Sequence, residues 1–250
     1  MYYPLAQQEF ESYLNGYDRE NDRIKLKIIQ ELAGRMHLSA EDTDLARLIA
    51  LLHDIGRFEQ LKRYDSFEPG TMDHAAYGVK VLFDEGMIRR FLPDDKWDSI
   101  IYTAIAHHSD YELPEISDPQ TLLHAKLIRD EDKLDNCRVK LVDSTSTFLN
   151  VSEEELGTQN ITQKVYETVF ENKCILSADR VTQMDYWVSY IVYFFDINFK
   201  ESFDIIAEND YLNRIIDRIP YSNPVTKEQM ENIRVYMQKF INSHTNSQSF

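Results

Sequence analysis

Leu51-Leu52-His53-Asp54-Ile55-Gly56-Arg57 is the stretch on which the reading of this chain turns. An apolar run of helical character ends there in a His-Asp doublet and then meets a glycine. Leu45, Leu48, Leu52 and Ile55 recur at the spacing of one buried helix face. Ser39, with Asp42 three residues on, resembles a capping box at the start of that helix. Gly56 suits the left-handed turn that closes a helix. Further along come His74, the pair His107-His108 and the acidic run Asp130-Glu131-Asp132. Imidazole and carboxylate are donors for divalent transition metals, and a bridging carboxylate can hold two of them. The chain reads as an all-α shell around such a site.

The helical pattern extends in both directions. Residues 5–15 and 20–36 read as helices, the second carrying Ile24, Ile28, Leu32 and Met36 at helical spacing. Tyr64–Gly70 reads as a loop, and Thr71 as the cap of a helix over 72–90 with His74 in its first turn. Pro93 breaks the pattern. A helix over 95–108 turns Ile100, Ile101, Ala104 and Ile105 inward and ends in the histidine pair. The next, over 120–142, holds Asp130, Asp132 and Asp135, and its periodicity leaves two faces open. One stripe (Leu123, Leu127, Leu134, Cys137, Leu141) buries Asp130, and the adjacent one (Ala125, Ile128, Val139, Val142) buries Asp132 and Asp135. Residues 145–160 read as a polar loop, followed by helices over 161–172, 180–198, 200–218 and 225–242 and a frayed tail from His244 to Phe250. The run Tyr190 to Phe195 is apolar all round, so its helix is expected to be buried. The aromatic side chains Tyr186, Trp187, Tyr190, Tyr193, Phe194 and Phe195 read as core, with a homodimer surface or a roof over the site as alternatives. With no internal repeat and no low-complexity linker, one continuous domain is expected over 1–250.

Composition narrows the function classes. A formal net charge of −16 and a pI near 4.8 argue against binding a nucleic-acid backbone, since no basic surplus displaces counterions. A small anionic substrate remains open, because metal ions reverse the potential locally. Seven glycines and seven prolines favour long helices over a strand-and-turn architecture. Neither a G-x-G-x-x-G nor a P-loop pattern occurs, which argues against dinucleotide and Walker-type sites. Cys137 and Cys174 lack C-x-x-C spacing and fit a reducing compartment. Met1-Tyr2-Tyr3-Pro4-Leu5 lacks the form of a signal peptide, and no apolar stretch is long enough to span a bilayer. The expected setting is cytoplasmic, with no membrane and no nucleic-acid partner.

Taken singly, the candidate residues carry little weight. A His-Asp doublet arises by chance in many chains, and Asp54 would then pair with Arg57 or Lys62. His74 alone reads as a capping or surface histidine. The ordered set of blocks weighs more: LIALLHDIGRFEQ (48–60), MDHAAYGVKVLF (72–83), IIYTAIAHHSD (100–110) and KLIRDEDKLDN (126–136). Together they resemble the successive signatures of the HD-domain metal-dependent phosphohydrolase superfamily. More narrowly, they are similar to a bacterial group carrying HDIGRFEQ, DHA and RDADKLD blocks. The resemblance covers about residues 18–140 and implies an HD-domain helical bundle over about 18–145, with the helices of 146–242 as an extension.

Carried over residue by residue, the resemblance makes His53 and Asp54 metal ligands, Asp54 also being able to bridge two ions. His74 and His108 match the ligands of a second metal, and Asp132 matches the aspartate that completes the first. It implies one or two divalent ions (Mn, Fe, Mg, Ni or Zn) and a metal-activated water that attacks phosphorus in line. The substrate class it implies is a small phosphorylated molecule, nucleotide-like. Asp54 and Arg57 are then catalytic, and Arg57, with Arg129 or Lys133, neutralises phosphate oxygens; a solvated helix surface is the alternative for these basic residues. His107 reads as surface or support, because adjacent helical residues point about 100° apart. Asp130 and Asp135 read as orienting ligands or solvating the helix. His37, His124 and His244 read as structural.

One departure stands out. Members of the superfamily usually supply a first metal histidine from the preceding helix, and Ile24 to Leu32 contains none. Counting back from His53 puts that position near Asn21; counting forward from Ile24-Lys25-Leu26-Lys27-Ile28 puts it near Gln30. His37 lies beyond the helix. Two further readings follow. The same ligands in an HD fold can hold a diiron centre that activates oxygen, and a chain without the first histidine can be a catalytically impaired binding protein.

Overall fold

The computed structural model describes residues 3–14, 22–64 and 72–245. Every regular element among them is helical and none is a strand, in keeping with the 3.6-residue apolar repeat that runs through the chain. The chain divides into two compact units, Met1–Asp132 and Lys133–Phe250. No helix among the described residues is long and apolar enough to cross a membrane.

The N-terminal unit contains α1 (Tyr3–Leu14), α2 (Asp22–Arg35), α3 (Ala40–Leu52), α4 (Ile55–Tyr64), α5 (His74–Val79), α6 (Ile88–Phe91), α7 (Asp98–Ala106) and the first part of α8 (Pro119–Val142), within which the division falls. Ser39 caps α3 as its sequence suggests: its hydroxyl accepts the N–H of Asp42 at 3.0 Å and donates to the Asp42 carboxylate at 2.6 Å. Leu45, Leu48, Leu52 and Ile55 are all buried, so the apolar stripe of the opening stretch is a core stripe. The helix expected over 72–90 is broken. After α5 the coil widens to a π-helical segment at Lys80–Asp84, and Gly86 then takes a φ of 75°, a left-handed conformation that glycine adopts without strain. The loop expected over Tyr64–Gly70 and the cap at Thr71 lie outside the described residues, except Tyr64, the last residue of α4.

The C-terminal unit holds the rest of α8 and α9 (Thr145–Leu149), α10 (Glu153–Leu156), α11 (Gln163–Val169), α12 (Gln183–Val192), α13 (Lys200–Glu208), α14 (Tyr211–Asp217) and α15 (Pro224–Thr245). Residues 145–160, expected to be a loop, contain α9 and α10, each begun by a serine whose hydroxyl accepts a main-chain N–H. Helices of one turn carry too few residues to show a period, so only their caps betray them. The helix expected over 200–218 is split by Asp210, whose φ of 52° is incompatible with a continuous α-helix. Of the all-apolar run, Ile191, Val192 and Phe194 are buried while Tyr190, Tyr193 and Phe195 are partly exposed, so the segment is buried on one side and not all round.

Candidate metal centre

The site is assembled at the junction of α3 and α4. The His53 N–H still bonds the Ile49 carbonyl, and the chain then turns through 53–54 before α4 begins. Gly56 is not the left-handed terminator expected from its position: it lies inside α4, and Gly86 is the glycine with positive φ among the described residues. Its role is contact. A Cβ at Gly56 would stand 2.0 Å from the His74 carbonyl oxygen and 2.9 Å from the Gly78 nitrogen. At Gly78 a Cβ would meet Ile55 Cγ2 at 3.3 Å and Gly56 N at 3.6 Å. The backbones of α4 and α5 therefore touch, and this brings His74 to Asp54. Asp73 fixes where α5 starts, its carboxylate accepting the Ala76 N–H at 2.9 Å, so that His74 projects from the first turn.

α7 supplies the next donor. Ile100, Ile101, Ala104 and Ile105 anchor it in the core, and it ends at Ala106, leaving His107 and His108 just past the end. The two deepest imidazoles of the cluster, His53 and His108, are held alike. His53 Nδ1 lies 2.9 Å from the Ala50 carbonyl and His108 Nδ1 lies 2.7 Å from that of Ile105. A carbonyl only accepts, so each Nδ1 carries the proton and each Nε2 presents a lone pair to the site.

Asp54 is the hub. Its Oδ2 is 3.5 Å from His53 Nε2, while its Oδ1 is 3.6 Å from His74 Nε2 and 3.7 Å from His108 Nε2. Asp132, from α8, reaches the His53 side, with Oδ1 3.9 Å from Nε2. His74 Nε2 and His108 Nε2 stand 3.0 Å apart. One donor atom each from His53, Asp54 and His108 fit within 4.8 Å of one another. Two donors each about 2.1 Å from one cation stand roughly 3 Å apart at a right angle and up to about 4.2 Å when opposed, so these separations lie in the range that a shared divalent ion allows. Burial pushes the His74 pKa down to about 3, with the Arg57 charge acting in the same direction and Asp54 partly opposing it. Its imidazole is thus neutral at neutral pH, the form that binds a cation. The donor set fits a divalent metal.

The structure brings together His53, Asp54, His74, His108 and Asp132, and places Arg57 beside them with its Nε donating to Asp54 Oδ1 at 2.8 Å. It does not do the same for the other expected phosphate contacts. Arg129 is 1% exposed and its guanidinium is given to main-chain carbonyls of residues 107–111. Lys133 is buried and pairs with Asp196 at 2.7 Å. Lys133 follows Asp132 directly, and neighbouring helical positions face different ways; Arg129, three residues before Asp132, shares its side of α8, but burial turns its guanidinium to backbone carbonyls instead of substrate. The open choice of stripe on α8 falls to neither face whole: Asp130 is buried with Leu127, Leu134 and Cys137, and Asp135 with Ala125 and Ile128, whereas Asp132 and Val139 are partly exposed and Val142 is exposed; Glu131 is buried as well. Asp135 pairs with Arg138 at 2.8 Å. His124 is a core histidine on Asp42, at 3.2 Å. His37, with a φ of 51°, is exposed, as is Gln30; Asn21 lies outside the described residues.

No curated protein and no solved structure matches the chain. A family model does: that of the HD domain, over residues 26–137. HD domains bind divalent metals, and the family is generally one of hydrolases. The matched span, a little under half of the chain, includes every residue of the cluster around Asp54, so this region is similar to the HD domain.

Proposed function

We propose that this chain is a metal-dependent phosphohydrolase whose centre is built on Asp54. The observation that carries the proposal is the division of that carboxylate, one oxygen toward His53 and the other toward His74 and His108. His53 and Asp132 would hold one ion, His74 and His108 a second, and Asp54 both. A divalent ion held there polarises a phosphoryl oxygen and lowers the pKa of a water to the neutral range. Arg57 orients Asp54 through its Nε, and its side chain, 32% exposed, meets the substrate phosphate. The buried histidines keep their Nδ1 protons on carbonyls, which fixes the lone pairs on the ion side. The substrate on this reading is a small phosphoester of nucleotide type, in keeping with the likeness of the four blocks to the HD-domain superfamily.

A second reading, oxygen activation at a diiron centre, is favoured by the approach of His74 and His108 to the same oxygen of Asp54. The two part in one assay. Chelator-stripped protein is reloaded with Mn²⁺ or Fe²⁺ and offered phosphomonoesters and phosphodiesters while phosphate release and oxygen uptake are followed together. Phosphate release without oxygen uptake is expected, and Asp54→Ala should lower it by at least about a thousandfold (~4 kcal/mol) with an unchanged helical spectrum. Turnover that survives in that variant removes Asp54 from the chemistry. A stripped protein that takes up less than one ion per chain leaves the impaired binding protein, the reading that the missing first histidine suggests.

A further inference from the structure

We propose that Arg129 is a positioning residue for His108, acting through the backbone that carries it and touching neither substrate nor ion. The proposal rests on the metal-centre reading above. Arg129 lies three residues before Asp132, on the preceding turn of α8, with 1% of its surface exposed. A buried guanidinium is costly unless its N–H groups are used. Here Nη1 donates to the carbonyls of His107 at 2.9 Å and Asp110 at 2.7 Å, and more loosely to that of His108 at 3.5 Å; Nη2 reaches the Tyr111 carbonyl at 3.5 Å.

These carbonyls belong to the turn just after α7, which ends at Ala106. Carbonyls at a helix end have no partner within the helix, and a cation there is favoured further by the helix dipole. One planar fork thus gathers a five-residue turn. The second residue of that turn is His108, whose own Nδ1–H is spent on Ile105 O at 2.7 Å. Holding the backbone on both sides of His108 fixes where its ring leaves the chain, and the Ile105 bond then fixes the face it shows to Asp54. The same turn of α8 that brings Asp132 to His53 therefore also sets His108, so that donors from two helices keep one register. An ammonium could supply the charge but not the fork, because its donors are not fixed in a plane.

The test uses full-length protein labelled with ¹⁵N-histidine and stripped of metal, with wild type, Arg129→Lys and Arg129→Gln compared. The expected result is a folded Arg129→Lys chain in which the His108 Nδ1 and Nε2 shifts move toward each other as its fixed tautomer is lost, while those of His124 stay in place. Titration with Co²⁺ should then show affinity weakened by roughly 10- to 100-fold and altered visible bands. His108 shifts identical to wild type in Arg129→Lys overturn the proposal. So does a protein that folds with neither Lys nor Gln at 129, since the residue would then determine the fold and not the site. If wild type takes up no Co²⁺ but the His108 shifts move, the metal reading fails and the positioning role stands.

Discussion

His124 is 1% exposed, with its Nε2 3.2 Å from Asp42 Oδ1 and its Nδ1 meeting no hydrogen-bonding group. The neutral ring therefore donates from Nε2 and leaves Nδ1 bare in the core; protonation would bury an N–H with no acceptor. Burial accordingly lowers the His124 pKa below 6.5, although the Asp42 carboxylate pulls the other way. For Asp42 burial works to raise the pKa, but the bonds from Ser39, Gln120 and His124 outweigh it and leave it below 3.8. The signs follow by linkage. Below pH 6.5 the unfolded chain takes up a proton at residue 124 that the folded chain refuses, so stability falls as pH drops from 7 toward 5. Asp42 adds its loss only on further acidification through 3.8. In metal-stripped protein, His124→Gln should flatten the decline in urea-unfolding free energy between pH 7 and pH 5 relative to wild type. Parallel curves for the two would mean that His124 is protonated in the fold. Residue type made the donors of the site legible, because imidazole and carboxylate announce what they bind. It did not reveal partners: Arg129 stood beside Asp132 in the sequence and was expected at a phosphate, whereas burial sent its guanidinium to backbone carbonyls.

At the scale of elements, the crossing of α4 and α5 carries the site. Gly56 has no room for a methyl group, and what it would strike, the His74 carbonyl at 2.0 Å, is backbone that cannot swing aside. Gly56→Ala must separate the two helices and draw His74 from Asp54. The expected cost is about 3 kcal/mol in urea unfolding, the upper range for overpacking, together with loss of Co²⁺ binding. Gly34, inside α2, offers the contrast: nothing lies within 4 Å of a Cβ there, so Gly34→Ala should stabilise by about 0.5 kcal/mol. Equal effects at the two positions would reject the crossing as drawn. The bodies of helices were legible because their apolar period repeats over several turns, as in α3 and α7. Breaks were not: the widened coil at Lys80–Asp84 and the left-handed Asp210 are single-residue decisions made by local geometry, and no period records them.

At the scale of the whole molecule, charge is the property most directly legible in the sequence, as are the four blocks whose order matches the assembled site. The missing first histidine stayed unreadable, because neither Gln30 nor His37, two of the residues weighed for its place, is buried. Charge makes a prediction that runs against the many surface ion pairs, such as Lys96 with Glu41 and Arg90 with Glu9. Exposed pairs of this kind contribute about 0 to 1 kcal/mol each and weaken with salt, which by itself would make salt destabilising. But 27 basic residues can neutralise at most 27 of 43 acidic ones, leaving 16 carboxylates that repel one another at neutral pH. Screening acts on both terms, and its range shrinks from about 30 Å at 0.01 M to about 10 Å at 0.1 M. Repulsion among dispersed like charges is the longer-ranged of the two and is relieved first. In metal-stripped protein at pH 7, the Tm should therefore rise by a few degrees between 0.01 M and 0.1 M NaCl, a salt chosen because sulfate would strengthen burial on its own account. A Tm that falls over that interval would show that the ion pairs, and not the excess of carboxylates, govern the electrostatic part of the stability.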